Sequence, residues 1–290
     1  MTVSVFVQLV VNGLSIGLIY VLIASGLILI LGIARIFNFA HGNFYMLGAY
    51  VVYSAYFLFH LNFFASLILA ALIVGLFGGI CYQSFFCRVQ GNILLGAMAS
   101  IGLMLMMEQG ILLGFGTKER GMSTVFTRMI DIGGIRLPEA RLMVILLCFL
   151  VMAGLYILLM KTKVGKAMRA VSSNSEAASL LGIDTHRIFV ITMIVGCVLA
   201  GLAGAIVAPV FAIHSGMGHS VLLLVFMVLI LGGMNSIPGA VLGGMLTGLL
   251  VSFGFHFFGG FVYVFLFCFA AVFMVLRPGG LLGQVITKLE

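Results

Sequence analysis

The sequence predicts an all-α polytopic membrane protein of about nine transmembrane helices in a single domain over residues 1–290, and three observations carry that prediction. Unbroken apolar runs of roughly 20 residues, the length that crosses a hydrocarbon core, recur from end to end. Hydrophobic residues make up 63% of the chain and the mean hydropathy is +1.34, well above what a soluble domain uses. Only 7% of the residues are charged, and they gather in a few short segments. Alternation of polar and apolar residues, the mark of an outer-membrane barrel, is absent. The 38 glycines suit helices packed in lipid, where association depends on close backbone approach.

The runs follow in order. Residues 5–31 form the first, with Asn12-Gly13 and other small residues for close packing, and Arg35 closes it. No basic residue precedes it and no small-residue cleavage site follows, so it is expected to stay as an uncleaved span. Residues 36–59 form the second, opening with Asn38 and His41 and carrying Tyr45, Tyr50, Tyr53 and Tyr56, which supply interfacial rings in a chain without Trp. Residues 63–86 are the third, ended by Arg88, and residues 93–115 the fourth, with Glu108-Gln109 inside it. The polar segment 117–141 holds Gly133-Gly134 and then Arg136-Leu137-Pro138, which predict a hairpin or turn. Residues 142–160 are the fifth run and 188–209 the sixth. A Gly-rich link, 214–219, leads to 221–234 and 240–257, which flank an Asn235-Ser236-Ile237-Pro238-Gly239 turn, and 261–276 is the last. The shortness of the seventh and eighth runs leaves a broken or re-entrant pair as the alternative, giving eight or ten crossings.

Charge sets the expected orientation. Arg35, Arg88, Arg277, Lys288 and the five cations of 161–187 fall on one side, and Lys118, Arg120, Arg128, Arg136 and Arg141 on the other. Retention of cations in the cytoplasm then puts the N-terminus and the 117–141 loop outside, and the 161–187 loop and C-terminus inside. The same rule accounts for the net charge of +7 without nucleic acid. Residues 72–80 resemble residues 198–206 and run in the opposite direction, as in an inverted repeat.

Segment 161–187 is the polar island of the chain, and it is built to be structured. Val164, Ala167, Met168 and Val171 recur at helical spacing. Ser173 and Glu176 have the spacing of a capping box, and Gly182 supplies a left-handed stop. Two short helices joined by a Ser-Ser-Asn turn are expected, carrying an apolar ridge of Ala178, Leu181 and Ile183 that needs a partner.

Glu176-Ala177-Ala178 with Gly182 resembles the cytoplasmic coupling loop of permeases in ATP-binding-cassette importers, although no Leu-Pro follows Gly182. Asn38-Phe39-Ala40-His41-Gly42, Gly165-Lys166-Ala167-Met168-Arg169-Ala170, the stretch from Gly232 to Ala240, and Arg277-Pro278-Gly279-Gly280-Leu281 extend the resemblance over nearly the whole chain. Together they are similar to the H-type permease subunit of branched-chain amino acid importers, a family of the inner, cytoplasmic membrane. The resemblance implies a paralogous permease partner, two ATPase subunits, a periplasmic or tethered substrate-binding protein, and uptake of Leu, Ile and Val. It also implies an ATPase-coupling role for Met168, Arg169, Asn174, Glu176, Ala177, Ala178, Leu181 and Gly182. Permeases for urea or short-chain amides are the alternative within the family, and an ion-coupled secondary transporter is the alternative outside it.

No catalytic set or cofactor site is expected. Gly165-Lys166 lacks the earlier glycine and the following Ser or Thr of a phosphate loop, so ATP is expected on the partner ATPases. The six histidines show no metal-binding spacing, and the five cysteines, without Cys-x-x-Cys, read as small buried hydrophobes. Asn38, His41 and Glu108 are the candidates for a translocation path. Asn38 and His41 stand one helical turn apart, and interhelical hydrogen bonding is the competing role for all three. A carboxylate in mid-span costs about 2.5 to 3.5 kcal/mol in lipid, so Glu108 is expected to face protein or water.

Overall fold

The computed structural model describes residues 3–122, 125–132, 135–234 and 236–282. The predicted turn residues Gly133-Gly134 and Asn235, and the cation Lys288, lie outside the described residues. The elements run α1 (Val3–Leu29) with a π-helical extension (Ile30–Ala34), α2 (His41–Phe57), α3 (Phe63–Cys81) with a π turn (Tyr82–Phe86), α4 (Cys87–Val89) and α5 (Ile93–Phe115). The hairpin β1 (Met129–Ile132) and β2 (Ile135–Pro138) precedes α6 (Glu139–Lys161), α7 (Lys163–Ser173), α8 (Ser175–Leu180) and α9 (Thr185–Val207). The chain closes with α10 (Met217–Gly232), α11 (Ile237–Phe258), a 3-10 turn (Gly259–Phe261) and α12 (Val262–Leu276).

Each of the nine predicted runs holds one helix, and among the described residues the fold is all-α apart from the small antiparallel hairpin between α5 and α6. Among the described residues six helical runs are long and apolar enough to cross a membrane, with α11 and α12 counted as one of them. The shorter helices α2, α10 and α12 have 17, 16 and 15 residues.

The starts of two helices differ from expectation by more than three residues. Residues 36–40 are not helical, and α2 begins only at His41, after Arg35 has turned the chain with φ 55°. In the seventh run α10 begins at Met217, so His219 is helical rather than part of a link.

Helix α1 is the centre of the bundle, and its residues from Gly17 to Ile30 are all buried. Its deepest seam is with α11. A Cβ on Gly17 would sit 2.9 Å from the Gly244 carbonyl oxygen, and one on Gly248 would strike the backbone of both Gly13 and Gly17. These two Gly-x-x-x-Gly pairs face each other, and contact between backbones replaces the hydrophobic drive that lipid removes. Helix α3 packs antiparallel to α9, with Gly75 against Val198, Gly78 against Cys197 and Gly79 against Ile194. The two similar segments therefore run in opposite directions, and they do so in direct contact.

Helices α11 and α12 fold back on each other. Gly254 lies against Val262, and the Phe255 and Tyr263 rings are 5.8 Å apart. Residues eight apart in a straight helix are about 12 Å apart, so the chain reverses at Gly259, whose φ is 55°. The segment after α12 then returns to the end of α10, where Leu281 N–H donates to the Leu231 carbonyl at 2.8 Å.

The two polar loops lie at opposite ends of α1. Ser172 Oγ donates to the Gly32 carbonyl, and Gln8 Nε2 donates to the Arg136 carbonyl, each at 3.1 Å. Twenty-four helical residues separate those carbonyl contacts, about 36 Å. These positions are called below the loop end (α7 and α8) and the hairpin end (β1 and β2).

Candidate functional site

At the loop end the sequence builds a small rigid platform. Thr162 caps α7: its Oγ1 accepts from Gly165 N–H at 3.0 Å and donates to the Leu158 carbonyl at 2.6 Å. A Cβ at Gly165 would collide with the Leu158 and Leu159 carbonyls, so only glycine lets α7 turn this tightly off α6. The Arg169 guanidinium bonds the Leu159 carbonyl, and Met168 and Val171 are buried beneath α7.

The cap of α8 is Asn174, not Ser173. Asn174 Oδ1 accepts from the N–H groups of Glu176 and Ala177, each at 3.0 Å, while Ser173 remains the last residue of α7. Asn caps as well as Ser, and only Asn174 has the extended backbone (φ −154°, ψ 107°) that a cap requires. Gly182 takes φ 83°, and the bonds Gly182 N–H to Ser179 O and Ile183 N–H to Ala178 O close the left-handed terminus.

The expected ridge is redrawn by this geometry. Ala178 is buried and Ile183 half-buried, because α8 leans its small face on α9. The apolar groups that point outward are Leu180 and the C-cap Leu181. The candidate set thus divides. Met168, Asn174, Ala178 and Gly182 shape the platform, whereas Arg169, Glu176, Ala177 and Leu181 are exposed on it.

Asn38, His41 and Glu108 do not form one cluster. Asn38 precedes the helix, so it does not share a helical face with His41; its Oδ1 accepts from Ala40 N–H at 3.1 Å and its carbonyl from His41 N–H at 3.2 Å. His41 Nε2 lies 3.1 Å from the Ile23 carbonyl of α1. Both residues are fully buried, and Asn38 Nδ2 and His41 Nδ1 have no hydrogen-bond partner among the described residues. Glu108 is half-buried on α5, one turn beyond Met104. Sequence reading missed what fixes α5 here: Asn43 Nδ2 donates to the Met104 carbonyl at 2.6 Å, and Ser100 Oγ bonds both Phe37 O and Phe39 N–H. Small polar residues inside apolar runs were the available signal.

Two helix starts meet inside the bundle. A Cβ on Gly26 of α1 would sit 2.6 Å from the Gly196 carbonyl of α9 and 3.1 Å from His41 Nε2, so α2 begins level with both. Gly26 is eight residues short of Ala34, which places that start about 12 Å inside the loop end. Helix α10 begins at the same depth, with Gly218 packed on Gly42 and Asn43. From there the two helices diverge. Tyr53 of α2 accepts a hydrogen bond from Arg120 at the hairpin end, while the ring of Phe226 of α10 packs at a tilt on Phe39, back toward the loop end.

The family model for the branched-chain amino acid transport system permease component matches residues 9–276. The chain belongs to this permease family. The high-affinity branched-chain amino acid transport system permease protein BraD of Pseudomonas aeruginosa is 30% identical over 96% of both chains. LivH of Escherichia coli, described in the same terms, is 27% identical over 96% of both chains. A probable branched-chain amino acid transport permease protein, LivH of Methanocaldococcus jannaschii, is 28% identical over 79% of this chain and 75% of its own. No solved structure matches the chain.

In this permease the stretches that carried the resemblance sit at close backbone contacts. Gly42 is at the meeting of α2 and α10, and Gly232 packs backbone to backbone on Gly239 across the α10–α11 turn. Gly280, with φ 72°, docks the chain after α12 onto Gly232 and Gly233.

Proposed function

We propose that the permease carries branched-chain amino acids, Leu, Ile and Val, across the cytoplasmic membrane as the H-type subunit of an ATP-driven importer. The carrying observation is the similarity over 96% of the chain to permease proteins named for that transport. The loop-end platform supports it, because Leu180 and Leu181 stand out from a rigid pair of short helices, as a surface gripped by ATPase subunits would. A paralogous permease completes the membrane part, a substrate-binding protein delivers from the hairpin end, and two ATPases act at the loop end, which is cytoplasmic. Nucleotide-driven closure of the ATPases then shifts the platform and, through α7 and Arg169, the end of α6.

The test is uptake by the purified complex in proteoliposomes, with binding protein outside and ATP inside. Leucine uptake that requires ATP hydrolysis is expected. Uptake indifferent to ATP would replace this reading with an ion-coupled carrier, and uptake of urea or acetamide in place of leucine would replace the substrate.

A further inference from the structure

Between the start of α10 and the hairpin end lies a cavity of about 310 Å³, within the range of small-molecule sites. Residues 208–216 lead from the end of α9 back to its floor, pinned on the way by paired backbone bonds between Arg120 and Ile213 at 2.9 and 2.7 Å. Irregular backbone at such depth is tolerated where it is buried in protein or lines a wet cavity.

The walls are of two kinds. Ile16, Ile19, Val207 and Leu224 give an aliphatic side. Facing the same space are Tyr20 and Tyr45, 8% and 4% exposed, and neither hydroxyl has a hydrogen-bond partner among the described residues. Both side chains are packed into the bundle while they line the cavity, so their hydroxyls are open to bond something that enters. The first turn of α10 lines the cavity through Met217 and Ser220, and no side chain caps that helix. Met217 N–H and Ser220 N–H donate to the His214 and Gly216 carbonyls, so what the helix start offers an anion is its positive dipole end and the Ser220 hydroxyl, as at the broken helices of other transporters. Glu119, exposed on the segment after α5, lines the outer part and favours a cation.

We propose that this cavity is a substrate station for a small aliphatic zwitterion. The carboxylate meets the start of α10 and the Tyr20 and Tyr45 hydroxyls, the ammonium group faces Glu119, and the branched side chain lies on the aliphatic wall. The assignment rests on the transport of aliphatic amino acids proposed above. It adds a site within this subunit, apart from Asn38, His41 and Glu108, none of which lines the cavity.

The experiment uses the intact importer in proteoliposomes, with the binding protein saturated by leucine or by alanine. Tyr20→Phe and Tyr45→Phe remove only the hydroxyls, and each is expected to lower leucine uptake roughly tenfold, the effect of one hydrogen bond to a charged group, while the ATPase subunits still co-purify. Leu224→Phe fills the aliphatic wall and is expected to shift the leucine-to-alanine uptake ratio at least about tenfold toward alanine, a change of selectivity that misfolding does not produce. Unchanged rates in both Tyr variants and an unchanged ratio in Leu224→Phe, beside normal leucine uptake by the unsubstituted importer, overturn the cavity alone. Absence of leucine uptake by the unsubstituted importer overturns the transport reading, and this one with it.

Discussion

Replacing Leu180 and Leu181 together by alanine should detach the permease from its ATPase while leaving the bundle intact. The two side chains are 89% and 83% exposed, so almost all of their area is available to a partner. Truncation to alanine removes three carbons from each, worth about 2 kcal/mol per residue if the partner buries them. The pair then amounts to about 4 kcal/mol, or nearly three powers of ten in affinity. Stability of the permease itself should move by no more than about 0.5 kcal/mol, because neither side chain packs on the bundle. Titration of detergent-solubilised permease complex with purified ATPase gives the affinity, and thermal unfolding of the permease gives the control. Loss of less than about fivefold in affinity, with unfolding unchanged, would refute the burial of these leucines and with it the platform as a docking surface.

Three further outcomes are expected. Gly182→Val has open space around the new side chain but forces a β-branched residue to φ 83°; it should cost about 1 to 3 kcal/mol locally, expose the loop to limited proteolysis and lower ATP-driven uptake without blocking membrane insertion. Cysteines placed at Ser175 and Lys118 should react with impermeant reagents from opposite faces of the membrane, Ser175 from the cytoplasm; labelling of both from one face would contradict the opposed ends. Glu108→Gln should keep near-normal uptake and expression, since Glu108 does not line the cavity; lost uptake in an assembled complex would place its charge on the path.

Where the chain itself carries a stop, the element was legible to the residue. Helix α5 runs from Ile93 to Phe115 as expected because Asn92 caps its start and Gly116, at φ 76°, ends it. Gly182 was legible for the same reason. The Ser173 cap failed on a choice between neighbours: Ser and Asn are equal as caps, and the frame is set by how far α7 continues, which depends on burying Met168 and Val171 in the bundle. Burial also decided which apolar groups of α8 face out, and pattern alone could not separate Ala178 from Leu180. Local chemistry fixes the ends of these elements, and tertiary contact fixes their faces.

The start of α2 shows why the candidate path was the least legible part. Hydropathy registers burial, and Ile36, Phe39 and Ala40 are as apolar as a helix would be, so the run 36–59 gave no sign that its first five residues are not helical. What holds them out of the helix is supplied from elsewhere in the chain: Ser100 bonds Phe37 and Phe39, and the start of α10, more than 170 residues later, packs on Gly42 and Asn43 in the first turn of α2. A broken start leaves N–H groups of α2 and α10 without helical partners at depth, where lipid offers no replacement. The bundle retains that cost beside Asn38 Nδ2 and His41 Nδ1, which are buried with no partner among the described residues. Polar groups left without partners inside a membrane bundle are able to contact a passing polar solute while binding it weakly enough to release.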